Sequence, residues 1–114
     1  MMIHVYLDDY RQTPEGFVAA PDAASCIALI DGHDIDVLSL DYDLGWGQPT
    51  GLEVVAHLVE SGRYPQEIYL HTSSPSGRDR MHHLLAQHAP SHVRIHNRSM
   101  PDEVLASIAE RSRS

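Results

Sequence analysis

Apolar positions along this chain follow two rhythms, and their alternation predicts an α/β fold. Short apolar runs at 3–7, 36–40, 67–71 and 93–95 read as buried strands, and Phe17-Val18-Ala19 fits one more. Between them, apolar residues recur at helical spacing. Asp22 is placed to cap a helix carrying Ala23, Cys26, Ile27 and Ile30, ended by Gly32. Thr50-Gly51-Leu52-Glu53 has the form of a capping box, opening a helix with Leu52, Val55, Ala56 and Val59 inward and Gly62 at its close. Ser76-Gly77-Arg78-Asp79 predicts the cap of a third helix with Met81, Leu84 and Leu85 facing the core. Pro101 begins a last helix through Val104, Leu105 and Ile108, with 111–114 expected to fray. Strands alternating with helices in this way predict a parallel sheet covered on its faces. The stretch 10–16, broken by Pro14 and Gly16, leaves no room for a helix after the first strand.

Aspartates fall at the ends of two strand runs. Asp8 and Asp9 follow Ile3–Leu7, and Asp41 and Asp43 follow Asp36–Leu40. In open α/β sheets ligands bind at the carboxyl ends of the strands, so the two doublets predict one acidic pocket. Like charges held close are costly unless a cation or a shared proton compensates.

The charge distribution agrees. The formal net charge is −8. Residues 1–43 hold nine acids and one arginine, whereas 44–114 hold seven of each. The asymmetry sits in the half with both doublets; such a field favours cations and opposes bulk DNA binding. There is no lysine; every Lys/Arg-type base is arginine. At 114 residues a single domain, 1–114, is expected. One cysteine, Cys26, excludes an internal disulfide. His82 and His83 cannot share one helix face, and His92 and His96 lack an evident third ligand, so zinc is not expected. No signal-like or membrane-spanning run is seen, and a cytoplasmic protein without membrane contact is expected.

The element order, with Asp8-Asp9 after the first strand, Asp41 after the third and Thr72-Ser73 after the fourth, resembles the receiver domain of two-component response regulators. That resemblance implies a flavodoxin-like, doubly wound five-stranded parallel sheet in the order 2-1-3-4-5. In receivers the acidic pair binds magnesium, the later aspartate accepts a phosphoryl group, and a lysine follows the fifth strand. Here Arg98 is the nearest positional stand-in for that lysine. Only 31 residues separate Asp9 from Asp41, which implies a shortened first crossover.

A narrower resemblance follows, to receiver-like cyclic-phosphate-processing domains. It rests on Leu7-Asp8-Asp9-Tyr10-Arg11 with Pro14, on Ser39–Gly45 with Gly51, and on His71–Gly77 with Met81. The family more often has a histidine at the place of Tyr42 and an asparagine near Ser74. The resemblance implies that Asp8, Asp9 and Asp41 hold Mg²⁺ or Mn²⁺. Asp41 is then nucleophile, base or metal ligand. Asp43 is a further base or ligand, or a loop residue that bonds backbone amides. Arg11 either forks onto phosphate or neutralises the aspartates. His71 is a candidate proton carrier, or a buried residue ordering its loop. Thr72 and Ser73 are candidate phosphate donors, and Gly77 opens a helix whose N–H groups face an anion site. Trp46, between two glycines, either stacks on a base or folds onto its own loop.

The function expected is metal-assisted ring opening of a cyclic phosphate, on a nucleotide or RNA end. The alternatives are a divergent receiver phosphorylated on Asp41, and a non-catalytic interaction domain. A small phosphorylated ligand is the expected partner, and a protein partner or homodimer stays open.

Overall fold

The computed structural model describes residues 2–114. The elements are β1 (Met2–Leu7), β2 (Val18–Ala20), α1 (Ala23–Gly32), β3 (Asp34–Leu40), α2 (Gly51–Ser61), β4 (Glu67–Leu70), α3 (Pro75–His88), β5 (Arg94–His96) and α4 (Asp102–Arg113). All four strand pairings are parallel, in the order β2-β1-β3-β4-β5. No helix lies between β1 and β2, so the first crossover is shortened as the spacing requires. Among the described residues no helix is long and apolar enough to cross a membrane.

Strand side chains alternate between two faces. Val5, Leu7, Leu38, Leu40, Ile68 and Leu70 pack with α1, α2 and α3 in the larger core. Tyr6, Val37 and Tyr69 point the other way, where α4 covers them with Ile108, Val104 and Leu105. A register shift between Ile3 and Val5 puts Ile35 and Leu38 into the same core. The sheet therefore carries three helices on one face and one on the other. The vacancy left by the short crossover is filled by the loop before β2, where Phe17 packs edge-on against Tyr6. The single thiol, Cys26, is buried in the larger core, and burial pushes it up to about 12.

Several helix details differ from the sequence reading. In α2 the buried stripe is Val54, Val55 and Leu58; Ala56 is exposed and Val59 half-buried. Gly51 donates its N–H to the Tyr42 carbonyl at 2.8 Å, and this contact with the β3 exit sets the helix phase. Thr50 Oγ1 accepts the Leu52 amide, but Glu53 is exposed and completes no capping box. Helix α3 starts before Ser76: Ser74 is its cap, accepting the Gly77 amide at 3.2 Å, and Pro75 takes the first turn. Helix α4 continues past 111. It runs to Arg113, whose Nε bonds the Ala109 carbonyl and lies 3.0 Å from Glu15 in the loop that replaces the missing helix.

Candidate functional site

The strand ladder extends one residue past three strands. The amide of Asp8 bonds Ala20 O, that of Asp41 bonds Leu7 O, and that of His71 bonds Leu40 O. Asp8, Asp41 and His71 thus emerge side by side at the carboxyl edge, across the switch point between β1 and β3. All three are buried, and their ligand atoms lie within 4.8 Å of one another.

Asp8 is the most tightly held. Its Oδ1 accepts the amides of Tyr10 and Arg11, both at 2.8 Å. Its Oδ2 accepts Arg11 Nη1 and His71 Nε2, both at 2.9 Å. Burial alone would raise this carboxyl, but the two amides, the guanidinium and the imidazole outweigh it and hold it at about 2. Asp41 Oδ1 accepts the Tyr42 amide at 2.8 Å, and its Oδ2 accepts the same Arg11 Nη1 at 3.3 Å. One nitrogen of Arg11 therefore bridges two carboxylates. Of the two readings of Arg11, this geometry is the neutralising one, and it relieves the crowding of the acids.

His71 has both ring nitrogens engaged. A carboxylate only accepts, so Nε2 carries the proton toward Asp8, and Nδ1 accepts the Ser39 hydroxyl at 2.6 Å. The ring stacks on Tyr6 at 4.3 Å with an interplanar angle of 1°. Burial lowers its pKa against the pull of Asp8, leaving the imidazole neutral at pH 7. His71 faces the small cavity behind the aspartates rather than the open one in front. It buttresses Asp8; in this arrangement neither nitrogen is free to serve a substrate.

The open cavity in front measures about 480 Å³ and brings together Asp9, Arg11, Asp41, Asp43 and Ser73. Asp9 is exposed on its rim and stands outside the buried trio. Asp43 is exposed and accepts the Gly45 amide at 3.1 Å, so it shapes its loop while facing the same space. Ser73 reaches the cavity; Thr72 is buried and instead accepts the Ser74 amide at 3.1 Å. Gly77 does not offer a free N–H, because Ser74 Oγ takes it. Its missing side chain makes room for Tyr42, since a Cβ there would stand 2.3 Å from the ring. Arg98 is exposed and joins the sheet through its carbonyl, which accepts the Leu70 amide. The cation at the aspartates is Arg11 instead.

Sequence reasoning missed Ser39 and Tyr6. The available signal was a hydroxyl inside an otherwise apolar strand, two residues before Asp41.

The buried trio could hold a metal ion. Carboxylate oxygens suit a hard divalent cation. The proton on His71 Nε2 points at Asp8, so the oxygen donors are those of Asp8 and Asp41, with Asp9 exposed on the cavity rim. The Arg11 guanidinium now holds the position of positive charge between them.

A five-stranded parallel sheet in this order, with an acidic cluster at its carboxyl edge, defines a receiver-like α/β protein. The chain belongs to the cyclic-phosphate processing receiver domain family, whose model matches residues 3–87. No curated protein and no solved structure matches it.

Proposed function

We propose that this protein hydrolyses a cyclic phosphate ester with the help of Mg²⁺ or Mn²⁺. The convergence of Asp8 and Asp41 on one cation position at the sheet edge, in a chain of this family, carries the reading. Asp8, Asp9 and Asp41 would hold the ion, which when bound supplies a polarised phosphoryl oxygen and an acidified water. In the reaction a water oxygen bonds to phosphorus, one ring P–O ester bond breaks, and the released alkoxide takes up a proton. The product is a phosphate monoester.

Asp43, exposed on the cavity wall, is the carboxylate free to take the proton of the attacking water. Arg11 and Ser73 face the same cavity and donate to the non-bridging phosphate oxygens. Arg11 would exchange carboxylate for phosphate as its partner once an ion neutralises the aspartates. His71 acts as a positioning residue: with Ser39 behind it and Asp8 before it, it fixes the orientation of that buried carboxylate beside Asp41.

The test is ³¹P NMR of a panel of cyclic phosphates with Mg²⁺, with Mn²⁺ and with a chelator. Conversion of a cyclic ester to a monoester, lost with chelator and with Asp9→Asn, is the expected result. Absence of turnover across the panel, together with phosphorylation of Asp41 by a small phosphodonor, would replace this reading with the signalling one.

A further inference from the structure

The open cavity has an aromatic rim that the phosphate chemistry does not use. Four large apolar side chains are exposed among the described residues, and two of them, Tyr10 at 93% and Trp46 at 100%, stand at this one cavity. A fully exposed tryptophan leaves a large apolar surface in water, so a pair at one mouth calls for an occupant.

Neither ring sits on a loose tail. The Tyr10 amide is bonded to Asp8 Oδ1, the most heavily held carboxylate of the site. Trp46 lies between Gly45 (φ 114°) and Gly47 (φ 75°), a backbone that turns it outward and that side-chain-bearing residues rarely adopt. That turn is tied by Asp43 Oδ1 accepting the Gly45 amide and by the Gln48 amide bonding Gly45 O at 3.2 Å. The residues that position the two aromatics are thus the acids of the site itself.

We infer that Tyr10 and Trp46 form a stacking platform for a nucleobase, so that the substrate is a nucleoside cyclic phosphate rather than a base-free cyclic ester. This rests on the cyclic-phosphate reading above. The floor of the cavity, with Arg11, Asp41 and Ser73, takes the phosphate end, and the rim takes a flat, aromatic end. A nucleotide carries both chemistries on one small molecule, and the cavity falls within the roughly 300–1,000 Å³ usual for such ligands. Stacking on a ring tolerates any base, because each has a π-face.

Trp46 is the only tryptophan, so its fluorescence reports this rim alone. Adenosine 2′,3′-cyclic phosphate and glycerol 1,2-cyclic phosphate are titrated into the protein in Ca²⁺ buffer, to limit the turnover that Mg²⁺ supports, with affinity measured in parallel by calorimetry. The nucleoside ester should quench Trp46 saturably and bind about 10-fold or more tighter than the glycerol ester. Tyr10→Ala and Trp46→Ala should each weaken the nucleoside ester by about 10-fold and leave glycerol-ester affinity in place. Equal affinity for the two esters, or nucleoside affinity untouched in both variants, overturns the platform while the cyclic-phosphate reading stands. Binding of neither ester overturns both.

Discussion

The two faces of the sheet are built to different rules. On the three-helix face every inward strand residue of β1, β3 and β4 is aliphatic, from Val5 and Leu7 to Ile68 and Leu70. On the α4 face the corresponding positions are mixed: Tyr6, Val37, Ser39 and Tyr69, with His71 just beyond β4. The dry face depends on area and close packing. The other combines a smaller apolar cluster with paired polar groups, which are costly if left alone. Dropping the first crossover helix thins the cover on the side where the aspartates need buttressing. The teaching is that the site is supported from the less covered face, through His71, while stability resides on the opposite one.

The sharpest way to break this contrast is a cavity in the dry core. Leu40→Ala, in the three-helix core, should cost about 2–5 kcal/mol in urea unfolding. A loss below about 1 kcal/mol would mean that the dry face does not dominate.

Acid should act on the polar side. Asp8 has a folded value of about 2, below its ordinary 3.8, so its contribution is complete above pH 4 and fades as pH falls toward 2. By linkage that contribution is roughly 2 kcal/mol. His71 is also depressed in the fold; its share is present above its unfolded value of 6.5 and declines as pH falls through the lower folded value. Stability measured from pH 7 to 2 should therefore fall monotonically, and Asp8→Asn should flatten the segment below pH 4. A wild-type profile already flat there would contradict the assigned hydrogen bonds.

Ser39→Ala sharpens the comparison further. It leaves His71 Nδ1 buried without its donor, for a loss of about 1–2 kcal/mol. The ¹⁵N shift of His71 Nδ1 should move downfield as its lone pair loses the hydroxyl donor, while Nε2 keeps the proton that Asp8 holds. An unchanged Nδ1 shift would make Ser39 a bystander.

Arg11→Ala should have a modest effect on stability, a loss of about 1 kcal/mol: its own side chain is partly solvated, but the buried Asp8 and Asp41 carboxylates lose their shared cation. Its effect on ions should be opposite in sign. Removing the bridging guanidinium from Asp8 and Asp41 should tighten Mn²⁺ binding, followed by electron paramagnetic resonance. In turnover the same variant should mainly raise KM. Weaker Mn²⁺ binding would show that Arg11 does not compete for the ion's place.

Most elements were legible because they are local. A run such as Ile68-Tyr69-Leu70 is a strand by composition, and Asp22 or Pro101 marks a helix start by backbone chemistry alone. The meeting of Asp8 with Asp41 was legible too. Each directly follows its strand, and parallel neighbours in the order 2-1-3 bring those two ends together.

The roles inside the site were another matter. Arg11 and Arg98 are alike as residues, and only the path of the shortened crossover brings Arg11 to both carboxylates. His71 next to two hydroxyls looked like a proton carrier. Its bonds run instead to Ser39, 32 residues away, and to Asp8, 63 residues away. Gly77 looked like an anion cradle, and the ring of Tyr42 occupies the space. The amino-acid sequence by itself determined the elements, their order and the acidic edge, since these follow from propensity, capping and parity within a few residues. Tertiary structure alone decided which polar groups are paired and which stay open to solvent, since a hydrogen bond depends on distances that the chain sets only once distant strands lie side by side.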